Sequence, residues 1–264
     1  DLLKIVMEKQ IRLVTNWMRV GFIHGVMNTD NMAISGETID YGPCAFMDIY
    51  NPETVFSSID HHGRYAFLNQ PSITKWNLAR FAETLLPLID KNKDKAIESA
   101  TATINKFDEL FNNNWLEMMR KKLGFFDKKK DDEALIGFLL SLMHKHKADY
   151  TNTFCSLMNA EIKEDKMFES KEFVDWKENW KKRLKENNKS HEECLKLMHL
   201  NNPLVIPRNH KVEEALEAAN NNDLDPMLKL LRVLEKPYEN QEDIINYQSP
   251  GPASDEKYQT FCGT

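Results

Sequence analysis

His24-Gly25-Val26-Met27-Asn28-Thr29-Asp30-Asn31 is followed, nine residues after Asn31, by Asp40-Tyr41-Gly42-Pro43. Between the two stretches, Met32-Ala33-Ile34 and Thr38-Ile39 flank Ser35-Gly36-Glu37. That order predicts two short strands joined by a tight turn. Such a hairpin would bring Asn31 and Asp40 side by side at its open end. Two oxygen donors at one end of a rigid hairpin make a seat for a hard cation. The spacing alone fits equally well a surface loop followed by a chance D-Y-G turn.

The layout matches the metal-holding centre of protein kinases, in which a catalytic loop H-x-D-x-x-x-x-N is followed by an acidic D-x-G turn. His24 stands seven residues before Asn31, and Asp40-Tyr41-Gly42 takes the place of the turn. One position departs from the pattern: Val26 occupies the place of the catalytic Asp. A valine cannot accept a proton, which argues against ordinary hydroxyl phosphorylation and makes a conventional kinase the weakest reading. Asp30, beside Asn31, is the nearest replacement carboxylate.

Gly21 to Met32 and Thr38-Ile39-Asp40-Tyr41-Gly42-Pro43 closely resemble the selenoprotein O family. So do Gly63-Arg64-Tyr65, Asn69-Gln70-Pro71, Trp76-Asn77-Leu78, Asp149 to Phe154, Asn202-Pro203 and Pro207-Arg208-Asn209-His210. The resemblance spans nearly the whole chain. It implies a protein-kinase-like fold and transfer of AMP, rather than phosphate, from ATP to Ser, Thr or Tyr hydroxyls of proteins. It implies a nucleotide held in reverse, with its α-phosphate toward the acceptor. Carried onto this chain, Asn31 and Asp40 coordinate Mg²⁺ or Mn²⁺, Asp40 touches the ATP phosphates through the metal, and Asp30 is the general base. His24 holds the loop by hydrogen bonds. Eukaryotic members are mitochondrial; a bacterial one would be cytoplasmic. The family also places a redox-active Cys or selenocysteine near the C-terminus, and Cys262 stands there. In bacterial members a tail cysteine pairs with one in the activation segment. Here Val55-Phe56-Ser57 offers none. The ending Cys262-Gly263-Thr264 raises the hypothesis of a selenocysteine codon read as a stop, which mass spectrometry of a native protein ending at Thr264 would refute.

The chain has 264 residues, 41% of them apolar, enough for a sizeable core. A net charge of −6 argues against a nucleic-acid partner. The longest apolar run, 134 to 143, is broken by Gly137 and Ser141 and is too short to span a membrane. No two of the glycines are spaced G-x-G, and nothing before residue 20 can supply a sheet lobe. A kinase-like enzyme needs a Gly-rich loop and a strand lysine upstream of the catalytic loop. The expectation is therefore a C-terminal lobe and tail of a longer protein, with the N-lobe missing. The four cysteines form no C-x-x-C pair. His191-Glu192-Glu193-Cys194 and His144-Lys145-His146 read as surface polar groups on helices.

Leu3, Met7, Ile11, Val14 and Met18 predict an amphipathic helix over 2 to 20, with Thr15 on its outer face. Residues 44 to 71 take the activation-segment position. There Arg64 and Tyr65, with Asp60, His61 and His62, are either ligands of phosphate and acceptor or structural contacts of an ordered loop. Ser72 predicts the cap of a helix through Leu86 that turns Trp76, Leu78, Phe81, Ala82 and Leu85 inward. A second helix is predicted from 94 to 123, closed by Gly124. Lys128-Lys129-Lys130 before Asp131-Asp132-Glu133 reads as a solvated loop, with Asp132 capping the next helix. Trp176 and Trp180 read as a packing stripe, Ser190 with Glu193 as a capping box, and Asp225-Pro226 as a helix opening. The sum is a mainly α chain: a kinase-like C-lobe over 1–125 with a β-hairpin at the metal site, a helical extension over 126–236, and a tail over 237–264. Adenylyl transfer to proteins is the leading function. A non-catalytic interaction module is the alternative.

Overall fold

The computed structural model describes residues 1–158, 166–251 and 258–261, so Cys262 lies outside the described residues. The apolar period of the first segment forms α1 (Leu2–Val20), which buries Leu3, Met7, Ile11, Val14 and Met18. Thr15 is buried as well, against expectation. Helices pack on more than one side of α1, so its buried arc is wider than a single stripe. Gly21 ends α1 in the left-handed conformation, φ 75°, and its N–H closes back on Met18 and Trp17 carbonyls.

Strands β1 (Phe22–Ile23) and β2 (Ala45–Phe46) pair antiparallel, with Phe22 opposite Phe46 and Ile23 opposite Ala45. This corrects the predicted hairpin over 32 to 40. There the structure keeps only an isolated Met32–Thr38 bridge and a turn in which Gly36 N–H donates to Ala33 O at 3.0 Å. Ile34 and Ile39 stay exposed, so the two arms have no apolar face to bury. Their polar groups bond to α1 instead: Gln10 donates to Ala33 O, and Trp17 Nε1 to Thr38 Oγ1 at 2.8 Å.

A 3₁₀ turn (Phe67–Asn69) leads into α2 (Gln70–Ile89), which starts ahead of Ser72 and carries Pro71 in its first turn. Leu78 and Ala82 point inward. Trp76 does not: it is 45% exposed, with the guanidiniums of Arg64 and Arg80 over its ring at 4.9 and 5.3 Å. The single helix expected from 94 to 123 is two, α3 (Lys93–Ile104) and α4 (Phe107–Lys122). The chain breaks at Asn105-Lys106 because the halves have different neighbours, α3 packing mainly on α2 and α4 on α1. Leu3, Met7, Ile11, Leu78, Ala100, Ile104 and Phe107 form the core between them.

The remaining helices are α5 (Asp132–His146), α6 (Tyr150–Met158), α7 (Lys166–Glu169), α8 (Lys171–Lys185), α9 (His191–Asn201), α10 (Asn209–Asn220), α11 (Asp225–Leu234) and α12 (Ile244–Gln248). Trp176 and Trp180 stack with ring centroids 6.0 Å apart, and their indole N–H groups donate to Leu135 O and Leu123 O. They are a packing stripe. Ser190 and Glu193 form the capping box at α9. Asp132 is not the exposed cap that was expected. It is fully buried and accepts from Arg120 Nε at 2.8 Å, Arg183 Nε at 2.7 Å and the Lys129 N–H at 2.8 Å. α5 packs on α8 and α4, which draws both guanidiniums onto one carboxylate. Near the end of the chain, Thr260 pairs in parallel with Ser57.

Candidate active site

β1 and β2 form a neck through which residues 24–44 leave the sheet and return. His24 follows β1 directly and is fully buried. Its backbone N–H donates to Gln70 Oε1 at 3.1 Å, and Gln70 Nε2 donates to Phe22 O at 3.1 Å. One glutamine of α2 thus satisfies two buried backbone groups at the neck. His24 Nε2 lies 2.8 Å from Ile39 O and donates to it. Burial lowers the pKa of His24, against the opposing pull of the Ile39 carbonyl and of Asp40. A neutral imidazole therefore ties the head of the first arm to the residue before Asp40.

A second tie lies next to it. Gly25 has φ 87°, and a Cβ there would come 2.5 Å from Pro43 O. Only glycine lets the first arm lie so closely on the end of the second. Asn77 Nδ2 donates to Met27 O at 2.8 Å, and Tyr65 Oη donates to Asn28 Oδ1 at 2.6 Å. The loop is therefore held from outside, by side chains of α1, α2 and the 44–71 segment.

The three predicted site residues lie on this frame. A 3₁₀ turn (Thr29–Asn31) carries Asp30, which is exposed, and Asn31, which is half-buried. Asn31 Nδ2 donates to Val26 O at 3.0 Å, which leaves its Oδ1 as a lone-pair donor for a cation. Asp40 is exposed and sits at φ 53°, a left-handed conformation that an Asp tolerates better than most residues. Gly42 N–H reaches Asp40 Oδ1 at 3.4 Å. Asn31 Oδ1 and the Asp40 carboxylate are each hard oxygen donors of the kind that Mg²⁺ or Mn²⁺ takes. Among the described residues no three His, Cys, Asp or Glu side chains cluster to hold a metal ion. A cation here would complete its shell with water or phosphate oxygens, as Mg²⁺ commonly does.

Around the site the remaining candidates divide. Asp60 accepts from the backbone N–H groups of Arg64 and Tyr65, so it shapes its own loop. Tyr65 reaches the site through Asn28; Arg64 lies on Trp76, and His61 and His62 are exposed. The Cys44 thiol donates to Tyr41 O at 3.1 Å, and burial raises its pKa. The tail meets the site too. Thr260 Oγ1 donates to Pro43 O at 2.7 Å, and its N–H donates to Phe56 O at 2.8 Å. Sequence reasoning did not assign roles to Gln70, Asn77, Gln10 or Trp17. Gln70 and Asn77 are seven residues apart, two turns on one face of α2, and both are buried. Two amides on an inward stripe were the available signal.

The family model for the protein adenylyltransferase SelO matches residues 1–235. The protein nucleotidyltransferase YdiU of Pelagibacter ubique is 58% identical over 264 residues, covering all of this chain and 55% of that protein. Proteins of the same name from Clostridium beijerinckii and Nitrosococcus oceani are 54% and 52% identical, again over the whole chain and 54% of their own length. The chain thus spans about half the length of the curated relatives it matches, and these relatives are bacterial. Among the described residues no helix is long and apolar enough to cross a membrane. On the extent of the family match and the identity to these relatives, the chain belongs to the SelO family of protein adenylyltransferases.

Proposed function

We propose that this chain carries the base and the metal-holding side chains of a protein adenylyltransferase, on a kinase-like lobe of residues 1–125 extended by the helices of 126–236. The observation that carries the reading is the pinning of both arms of 24–44 by buried His24, which leaves the Asp30 and Asp40 carboxylates exposed. Asn31 Oδ1 and the Asp40 carboxylate would hold Mg²⁺ or Mn²⁺ against the ATP phosphates. The bound cation supplies neutralisation of phosphate charge. Asp30 takes the proton of an acceptor Ser, Thr or Tyr hydroxyl. The hydroxyl oxygen bonds to the α-phosphorus as the bond to the bridging oxygen breaks, and pyrophosphate leaves with that electron pair. Val26 excludes the alternative in which the kinase position supplies the base. His24, neutral and buried, orients the arms and takes no part in the transfer.

The test uses ATP labelled at either the α- or the γ-phosphate, with the longest product of the gene and with this chain, in Mg²⁺ and in Mn²⁺. The expected result is label on protein from the α position only. Asp40→Ala should abolish metal-dependent nucleotide binding, and Asp30→Ala should keep binding but lose transfer. Label from the γ position, or undiminished binding in Asp40→Ala, would overturn the reading.

A further inference from the structure

Arg208 is 1% exposed and lies just before α10, far along the chain from the site. Its guanidinium nevertheless reaches the exit of the neck. Nη1 donates to Asp48 Oδ1 at 2.7 Å and to Asp149 Oδ2 at 2.6 Å; Nη2 donates to Asp149 Oδ1 at 3.3 Å and to Gln248 O at 2.7 Å. Asp48 stands two residues after β2. The next residue along the chain, Asn209, donates from Nδ2 to Phe46 O within β2 itself, at 3.2 Å. Backbone bonds run beside these: Tyr150 N–H to Asp48 O at 2.7 Å and Tyr50 N–H to Ala148 O at 2.9 Å. On its other edge β2 pairs with β1, which leads into His24. The strand that receives the Asp40 arm is therefore gripped from two sides, by the catalytic loop's own strand and by the helical extension.

A buried ion pair is a weak source of net stability, because desolvation offsets most of the attraction. What a guanidinium fork on carboxylates does provide is a fixed geometry. Here the fork joins four separate segments: 46–50, 148–152, 208–209 and the end of α12. The second arm is tied along its length by Trp17 to Thr38, His24 to Ile39 and Thr260 to Pro43, and it ends in β2, so the fork on Asp48 fixes the strand into which those ties lead.

We propose that Arg208 is a positioning residue for the Asp40 arm: it holds β2, and with it the exit of the 24–44 excursion, in place from the helical extension. The inference rests on the reading of Asp40 as the ligand of the nucleotide-bound metal. It is tested with Arg208→Lys, which keeps the charge and loses the fork, and with Asn209→Ala, which removes only the bond to Phe46 and leaves the ion pairs intact. Both are made in the longest product of the gene. Two quantities are read: amide exchange along the chain without nucleotide, and the Mg²⁺ concentration giving half-maximal ATP binding. The expected result is faster exchange at residues 38–48 beside that at the segments the fork joins directly, with α1 and α4 unchanged. The Mg²⁺ requirement should rise about two- to thirtyfold in Arg208→Lys, the range seen for coupling residues, and less in Asn209→Ala. If Arg208→Lys does not fold, Asn209→Ala alone decides. Exchange at 38–48 equal to the wild type would overturn the proposal. So would faster exchange spread evenly over the chain with no change in Mg²⁺ requirement. Asp40→Ala in the same titration separates the two readings: retained metal-dependent binding there would sink the site assignment, while the exchange result still decides whether Arg208 holds the arm.

Discussion

Asp132 and Asp40 are both aspartates beside a turn, and the protein treats them in opposite ways. Asp132 is sealed between α4, α5 and α8, its oxygens taken by two guanidiniums and a backbone N–H. Asp40 stands exposed on left-handed backbone, with one distant N–H from Gly42. The contrast separates two uses of a carboxylate. One whose lone pairs are all occupied fixes helices relative to each other. One kept clear of partners is open to a cation or a proton, and its position must be set by other groups. Around residues 24–44 those groups are neutral amides, an indole, a phenol and an uncharged imidazole, none of which neutralises the carboxylates they surround.

The largest effect expected from this contrast is at Asp132. Asp132→Asn leaves buried Arg120 without its carboxylate and Arg183 with only the half-exposed Asp127, a loss of about 3–5 kcal/mol in unfolding free energy. Urea unfolding measures it, and a loss below about 1 kcal/mol, the scale of a single ordinary hydrogen bond, would show that the network does not hold these helices. Next comes Gln70→Leu, which strips the His24 N–H and the Phe22 carbonyl of their partner. Leaving buried backbone groups unpaired costs about 1–3 kcal/mol each. An unchanged midpoint in the same experiment would mean that the neck is held without Gln70.

A smaller effect follows from His24. Its burial keeps the folded-state pKa below the ordinary value, so the unfolded chain takes up a proton at a pH where the folded chain does not. Stability should therefore fall as the pH drops from the ordinary histidine range toward the lowered pKa, by at most about 1.4 kcal/mol per pH unit. Comparing the pH dependence of unfolding in the wild type and His24→Gln isolates this part. Parallel curves would remove His24 as the source. The smallest stability effect belongs to Asp30→Asn and Asp40→Asn. Their unfolding midpoints should match the wild type while nucleotide transfer is lost. A marked stability loss in either would place that carboxylate with Asp132 rather than apart from it.

Much of the helical frame was legible in the sequence because amphipathic period and capping chemistry are local. α1, the α9 capping box and the Trp176–Trp180 stripe follow from residues three to four apart. What failed depended on neighbours far along the chain. Nothing local at Asn105-Lys106 announces that α3 and α4 must face different helices. Asp132 looks like a cap until Arg183 arrives from α8 to bury it. Trp76 looks like core until Arg64 and Arg80 cover it from the solvent side. The strands were placed in the wrong stretch because Phe22-Ile23 and Ala45-Phe46 are too short to show a period, while 32–40 has turn chemistry without a surface to pack on. The candidate residues Asp30, Asn31 and Asp40 were nominated by spacing and resemblance, and their roles stay proposals. Their supports, Gln70, Asn77 and Arg208, are ordinary polar residues in sequence, and only tertiary contact gives them a role.

The grip on β2 also bears on how the chain reaches its native state. Arg208 and Asp48 are 160 positions apart, whereas each helix forms from neighbours. Local contacts form early and long loops close late, since the entropy of closure must be overcome before the contact stabilises anything. The frame of the site, the neck, should assemble as a short-range unit, and its clamp from Arg208 should come last. In refolding followed by pulsed hydrogen exchange, protection of the Tyr50 and Tyr150 N–H groups, which bond across to Ala148 O and Asp48 O, should lag behind protection of the Met47 N–H, which bonds to Gly21 O. Simultaneous protection would mean that the extension and the neck fold as one cooperative piece.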